Sequence, residues 1–144
     1  MRVQLSVVRR YFDAWNSHRG KSVLDMFAKR GVYRDPLVPD GVTGNGIAEY
    51  AEGLWSAFPD FFLQISEPLI SESGRLAVEW VLRGTNSGPL LGQDPTGRSV
   101  SLRGVSVIEF DDERISGVLG YYDSAELHRQ LDSTNGEATL PTSI

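Results

Sequence analysis

Asp35 is the carboxylate best placed to do chemistry, standing directly before Pro36 at the end of the short run Val32 to Asp35. Proline disfavours helix at the residue before it and fixes the local chain, so a carboxylate there is held firmly. Facing an apolar pocket, it would be desolvated, which disfavours its charged form and makes it a usable general base. An aspartate in such a place also serves as a turn residue bonded to nearby backbone amides. Residue type and neighbours leave both uses open. Other polar groups promise less. Gly41, Gly44 and Gly46 match neither the dinucleotide fingerprint nor a P-loop. Glu52, Asp60 and Glu67 are scattered and expected in solvent. His18 follows the first helix, where an imidazolium favours the helix dipole. His128 sits beside Arg129 on an amphipathic helix and is expected at the surface.

Composition narrows the chemistry further. Lys and Arg total 14 against 19 Asp and Glu, a formal charge of 14 − 19 = −5. Nucleic acids and anionic membranes call for a concentrated basic surface, so neither is an expected partner. There are no cysteines, which excludes disulfides, thiolate nucleophiles and iron–sulfur clusters. Two histidines make a histidine-rich metal site an unpromising expectation, and no cofactor is expected. The sequence carries no apolar run of signal-peptide or membrane-spanning type, so a cytoplasmic protein is expected. At 144 residues the chain fits one domain with a sizeable core. That domain is expected over residues 1–132. Ser133 to Ile144, without periodicity, is expected to be a flexible tail.

The elements that must position Asp35 can be read from periodicity. Val3, Val7, Val8, Tyr11 and Trp15 form a helical stripe. Ser22 to Lys29 reads as a second helix with Leu24, Phe27 and Ala28 inward, stopped by Gly31. Val32 to Asp35 reads as a strand and Pro39 to Gly46 as a loop. Ile47, Tyr50, Ala51, Leu54, Trp55 and Phe58 form the apolar side of a third helix, ended by Pro59. From Phe61 the period changes to two. Leu76, Val78, Trp80 and Leu82 alternate along one strand. Val100, Leu102, Gly104, Ser106, Ile108 and Phe110 share a face of a longer one. A turn at Asp111-Asp112-Glu113 leads to a last strand from about Arg114 to Tyr122. A closing helix follows, capped by Asp123 or Ser124. Helices first and antiparallel strands afterwards predict an α+β domain, one curved sheet wrapped by helices over a pocket.

Two stretches carry a family resemblance. Val7-Val8-Arg9-Arg10-Tyr11-Phe12-Asp13-Ala14-Trp15-Asn16, followed by Tyr33-Arg34-Asp35-Pro36, resembles the ketosteroid isomerases of the nuclear-transport-factor-2-like superfamily. Ala57-Phe58-Pro59-Asp60, Gly84-Thr85-Asn86-Ser87-Gly88-Pro89-Leu90, Asp94-Pro95-Thr96-Gly97-Arg98 and Arg129-Gln130-Leu131 resemble the SnoaL-like polyketide cyclases. The resemblance implies a cone-shaped α+β fold with a curved, mostly antiparallel sheet around an apolar pocket. It implies that Asp35 shuttles a proton while Tyr11 donates to the developing oxyanion. Ser106 falls where the isomerases carry a second, acidic donor, and where the cyclases carry a histidine. Gly120 falls on the cyclase aspartate, so the aldol-cyclase pair is replaced. Asp123 matches a further aspartate of that segment and reads as a helix cap. Epoxide opening, which pairs this aspartate position with a second acid, directs attention to Glu49, Glu52 and Glu67. Trp15, Tyr50, Trp55 and Trp80 are expected to line the pocket, with plain core packing as the alternative.

The expected function is a cofactor-free acid–base enzyme that isomerises, cyclises or ring-opens an apolar polyketide-, terpenoid- or steroid-like molecule. Asp35 would be base, Tyr11 the oxyanion donor and Ser106 a second donor. The alternative is a non-catalytic small-molecule-binding or interaction domain, since this fold serves both purposes. The resemblance also implies a homodimer through the outer face of the sheet, where Val105 and Val107 point outward.

Overall fold

The computed structural model describes residues 2–132. Along them run α1 (Arg2–Asn16), α2 (Gly20–Asp25), β1 (Phe27–Arg34), β2 (Val42–Thr43) and α3 (Asn45–Ala57). Then come β3 (Phe62–Ile65), β4 (Leu69–Ile70), β5 (Leu76–Thr85), β6 (Ser99–Asp111), β7 (Arg114–Tyr122) and α4 (Ser124–Leu131). The strands make one sheet in the order β2-β1-β7-β6-β5-β3, with β4 also paired to β5. Only the β1–β7 pair among these is parallel. The α+β expectation holds: a curved sheet carries helices on one face.

The periodicities explain most elements. In α1, Val7, Val8, Tyr11, Phe12, Ala14 and Trp15 are buried, a face wide enough to seat the helix on the sheet. In β5, Leu76, Val78 and Trp80 are buried in strict alternation. Asp123 caps α4, accepting the backbone N–H of Ala125 and Glu126, as expected for aspartate at that position. His18 ends α1 in the left-handed region at φ 58°. Its ring stacks on Trp55 at 5.2 Å, and Nε2 meets the Phe61 carbonyl at 2.9 Å.

Two boundaries differ from expectation. The second helix stops at Asp25, and Phe27 opens β1 rather than closing a helix. Phe27 pairs with Ile115, Val32 pairs with Gly117, and the register shifts between them. That irregularity puts Lys29 and Arg30 outward together, which erases the strand alternation and imitates a helical pattern. Gly31 is no helix stop: a Cβ there would meet the Ile115 carbonyl oxygen at 2.9 Å, so glycine permits the close strand approach. Within the expected glycine loop, Val42 and Thr43 pair with Tyr33 and Val32. The tail expected from Ser133 to Ile144 lies outside the described residues. No helix among the described residues is long and apolar enough to cross a membrane.

Candidate active site

Between the sheet and α1, α3 and α4 lies a cavity of about 60 Å³. Aromatic and leucine side chains line it, together with Asp35, Ser106 and the tyrosines Tyr11, Tyr33, Tyr50 and Tyr122. That space holds roughly four waters. The half-buried leucines Leu37, Leu54, Leu82 and Leu90 edge it, so a larger ligand must displace them.

Asp35 stands both at the cavity and in the turn. It is buried at 6% exposure, and it lines the cavity. It also makes the turn: Oδ1 accepts the backbone N–H of Leu37 at 2.8 Å and of Val38 at 3.3 Å. Oδ2 accepts the hydroxyls of Tyr33 and Tyr50, each at 2.7 Å. Four donors match the acceptor capacity of an ionised carboxylate. No ion pair among the described residues includes Asp35. Tyr33 reaches it because residues two apart on a strand share a face. Tyr50 reaches it from the inner side of α3.

Tyr11 is not one of the four donors. It is fully buried, packed edge-on against Phe12, Trp15 and Phe27. Burial pushes the Tyr11 hydroxyl pKa above the usual phenol range; the neighbouring Trp15 side chain opposes this and the Asp35 charge adds to it. Tyr33, Tyr50 and Tyr122 are raised as well, first by burial and next by the Asp35 charge. All four therefore remain neutral donors at ordinary pH.

Ser106 is buried on β6, opposite Val78 of β5 and Gly120 of β7. Its Oγ accepts the Trp80 indole N–H at 3.0 Å. Gly104 makes this possible: a Cβ there would stand 2.3 Å from the Trp80 ring, so the indole lies flush across bare backbone. The Ser106 oxygen takes an indole N–H, which leaves its own proton to donate.

Of the residues expected at the site, Asp35, Tyr11, Ser106, Trp15, Tyr50 and Trp80 come together around the cavity. Trp55 does not line it. Trp55 packs instead between Trp15 and His18, because its place on α3 faces α1 and the turn after it. Glu49, Glu52 and Glu67 are exposed and none lines the cavity, so none is placed as a second acid. Asp60 is exposed but not merely solvated. It binds the Thr85 backbone N–H at 2.7 Å and hydroxyl at 2.8 Å, and the backbone bond first holds its carboxyl below the usual range. Among the described residues, no three acidic or histidine side chains form a metal-holding group. Sequence reasoning missed Tyr33 and Tyr122. The period-two relation of Tyr33 to Asp35 was an available signal, whereas Tyr122 gave none.

A curved sheet closed by helices over such a cavity is the fold of small-molecule cyclases and isomerases. The chain belongs to the SnoaL-like polyketide cyclase family, whose model matches residues 5–131. No curated protein matches the sequence. Among solved structures, a SnoaL-like protein from Jannaschia sp. CCS1 superposes with a TM-score of 0.80 at 17% identity, covering 91% of this chain and 92% of that one. AclR from Streptomyces galilaeus gives 0.74 at 22% identity, covering 94% and 81%. A ketosteroid isomerase-like protein from Catenulispora acidiphila DSM 44928, solved with trimethylamine, gives 0.70 at 17%, covering 96% and 95%. At these identities the likeness is one of fold.

Proposed function

We propose that this protein is an acid–base enzyme that moves a proton beside a carbonyl in an apolar small molecule, with Asp35 as the base. The observation that carries this is the buried Asp35 carboxylate sharing one cavity with two neutral hydroxyls, Tyr11 and Ser106, of which Ser106 accepts an indole N–H and keeps its own proton to donate. In the step, the C–H proton passes to Asp35 Oδ2. The C–H electron pair forms the enolate double bond. The oxygen's developing charge is met by Tyr11 and Ser106. Return of the proton at another carbon completes an isomerisation; attack by the enolate on a second carbonyl, whose resulting alkoxide takes the proton back from Asp35, completes a cyclisation. The arriving proton displaces one phenol from Oδ2. Tyr50, the half-buried one of the pair, is the phenol assigned to move.

Gly120 supports the same assignment. A Cβ at this position would sit 3.3 Å from the Asp35 Cβ, so the Asp35 side chain packs beside a strand position left bare. The isomerisation of small β,γ-unsaturated cyclic ketones, followed by the absorbance of the conjugated product, tests the proposal. Asp35→Asn should lose about 10²–10⁴-fold, and Tyr11→Phe about 10²–10³-fold. Asp35→Asn variants as active as the parent would reject it.

The four filled acceptor positions of Asp35 favour a second reading, a domain that binds a small molecule without converting it. Wild-type protein that binds such ketones without turning over any of them would support it. In either case we propose a homodimer through the outer sheet face. There Val105 pairs with Tyr121 and Val107 with Leu119, a cluster in which Tyr121 is 51% and Leu119 37% exposed. Monomers at micromolar concentration in gel filtration would exclude it.

A further inference from the structure

The cavity is lopsided in charge. Its lining includes one carboxylate and no Lys, Arg or His. Asp35 is buried, and its four partners are all neutral donors. Neutral donors disperse a charge but do not cancel it, and in a low-dielectric site the remainder acts over several ångströms. The surrounding walls are rich in aromatic rings, which can attract a cation. Aromatic faces are the negative part of the ring quadrupole. Trp80 and Tyr122 meet at 6.2 Å, Tyr33 and Tyr50 at 5.5 Å, and Tyr11 and Trp15 at 6.4 Å, all bordering this one space. A formal charge of −5 on the whole chain adds a weaker, long-range pull of the same sign.

A second fact narrows what kind of cation suits it. Both oxygens of Asp35 are already fully engaged by donors at 2.7 to 3.3 Å. A primary ammonium, which must spend its N–H groups on acceptors, would have to expel a tyrosine or a backbone amide. An alkylated cation has no N–H to satisfy. It needs only a negative field and aromatic neighbours, and the cavity is lined by Asp35 and by aromatic rings.

We propose that the cavity selects ligands bearing a fully alkylated positive centre, a quaternary ammonium or a sulfonium, over neutral and anionic ligands of the same shape. This rests on the cavity of the proposed function admitting a ligand, not on its turning one over.

Three small molecules of nearly one shape test it: choline, 3,3-dimethylbutan-1-ol and 3,3-dimethylbutanoate. Each is titrated into the full chain at constant ionic strength. Binding is followed by the fluorescence of Trp15 and Trp80, with calorimetry as a check. Choline should bind about tenfold or more tighter than the alcohol, and the butanoate weakest. Asp35→Asn should bring choline down to the level of the alcohol while leaving the alcohol unchanged within about twofold. Should Asp35→Asn not fold by circular dichroism, Tyr122→Leu should weaken choline more than the alcohol. Equal or tighter binding of the alcohol, tighter binding of the butanoate, or no binding by any of the three overturns the proposal. The two readings fail separately. Ketone turnover without choline selectivity leaves the acid–base enzyme and removes this inference. Asp35-dependent choline binding without turnover does the reverse.

Discussion

The Cβ of Asp35 lies 3.3 Å from where a Cβ on Gly120 would be, and the Tyr33 hydroxyl lies 3.8 Å from the same point. The bare backbone of β7 is therefore part of the Asp35 site. Gly120→Ala should cost about 1–3 kcal/mol through crowding, measured by urea unfolding. Gly120→Asp should cost more near neutrality, because it sets a second carboxylate against the first. One carboxyl of that pair would titrate above its unfolded value of about 4. The variant's extra penalty should thus shrink in acid and grow as pH rises through the folded value. A penalty that stays constant from acid to neutral pH would show that the two carboxylates do not meet.

The two phenols on Asp35 Oδ2 should be separable by what they hold. Tyr33→Phe and Tyr50→Phe each leave a buried charge one donor short, at about 1–3 kcal/mol. Because both serve one oxygen, their costs should not add in the double variant. Thermal unfolding of the two single variants and the double variant gives the coupling directly.

Gly104 is expected to control the Ser106 hydroxyl although it does not touch it. A Cβ at Gly104 would stand 2.3 Å from the Trp80 ring and 2.8 Å from the Tyr121 carbonyl oxygen. Gly104→Ala must expel the indole and break its bond to Ser106. A shift of the tryptophan emission maximum is the signature. Activity should fall in step with that of Ser106→Ala.

Alkaline stability provides another check. Tyr11, Tyr33, Tyr50 and Tyr122 all titrate above the unfolded phenol value, which is about 10. A raised folded value contributes stability that is fully present below pH 10 and lost as pH climbs beyond it. Unfolding free energy should be flat in this term up to about pH 10. Each such tyrosine should then remove about 1.4 kcal/mol per pH unit. Tyr33→Phe should reduce that slope, which denaturant melts at a series of pH values would reveal.

Much of this was legible in the residues. The α1 stripe, the alternation in β5 and the Asp123 cap follow from periods and capping chemistry that act over a few neighbours. Asp35-Pro36 points to a carboxylate that lines the cavity, and Tyr11 and Ser106, which line it too, come with the family likeness. Phe27 was misplaced because the β1–β7 irregularity sets two outward residues side by side, a feature fixed by the partner strand. Trp55 was misplaced because helical periodicity gives a buried face but not which neighbour that face meets. The Tyr50 bond to Asp35 spans 15 residues and the Trp80 bond to Ser106 spans 26. Both depend on where α3 and β5 are packed, which no local pattern encodes.

The most direct test of Asp35 as the base is exchange of the carbon-bound protons beside the carbonyl of cyclohex-3-enone into D₂O, followed by NMR. It reads proton removal alone, whatever product follows. Wild-type protein should speed the exchange over buffer, and Asp35→Asn should fall about 10²–10⁴-fold toward the buffer rate with its fold intact. Exchange by Asp35→Asn at the wild-type rate, or by wild-type protein at the buffer rate, would contradict the account.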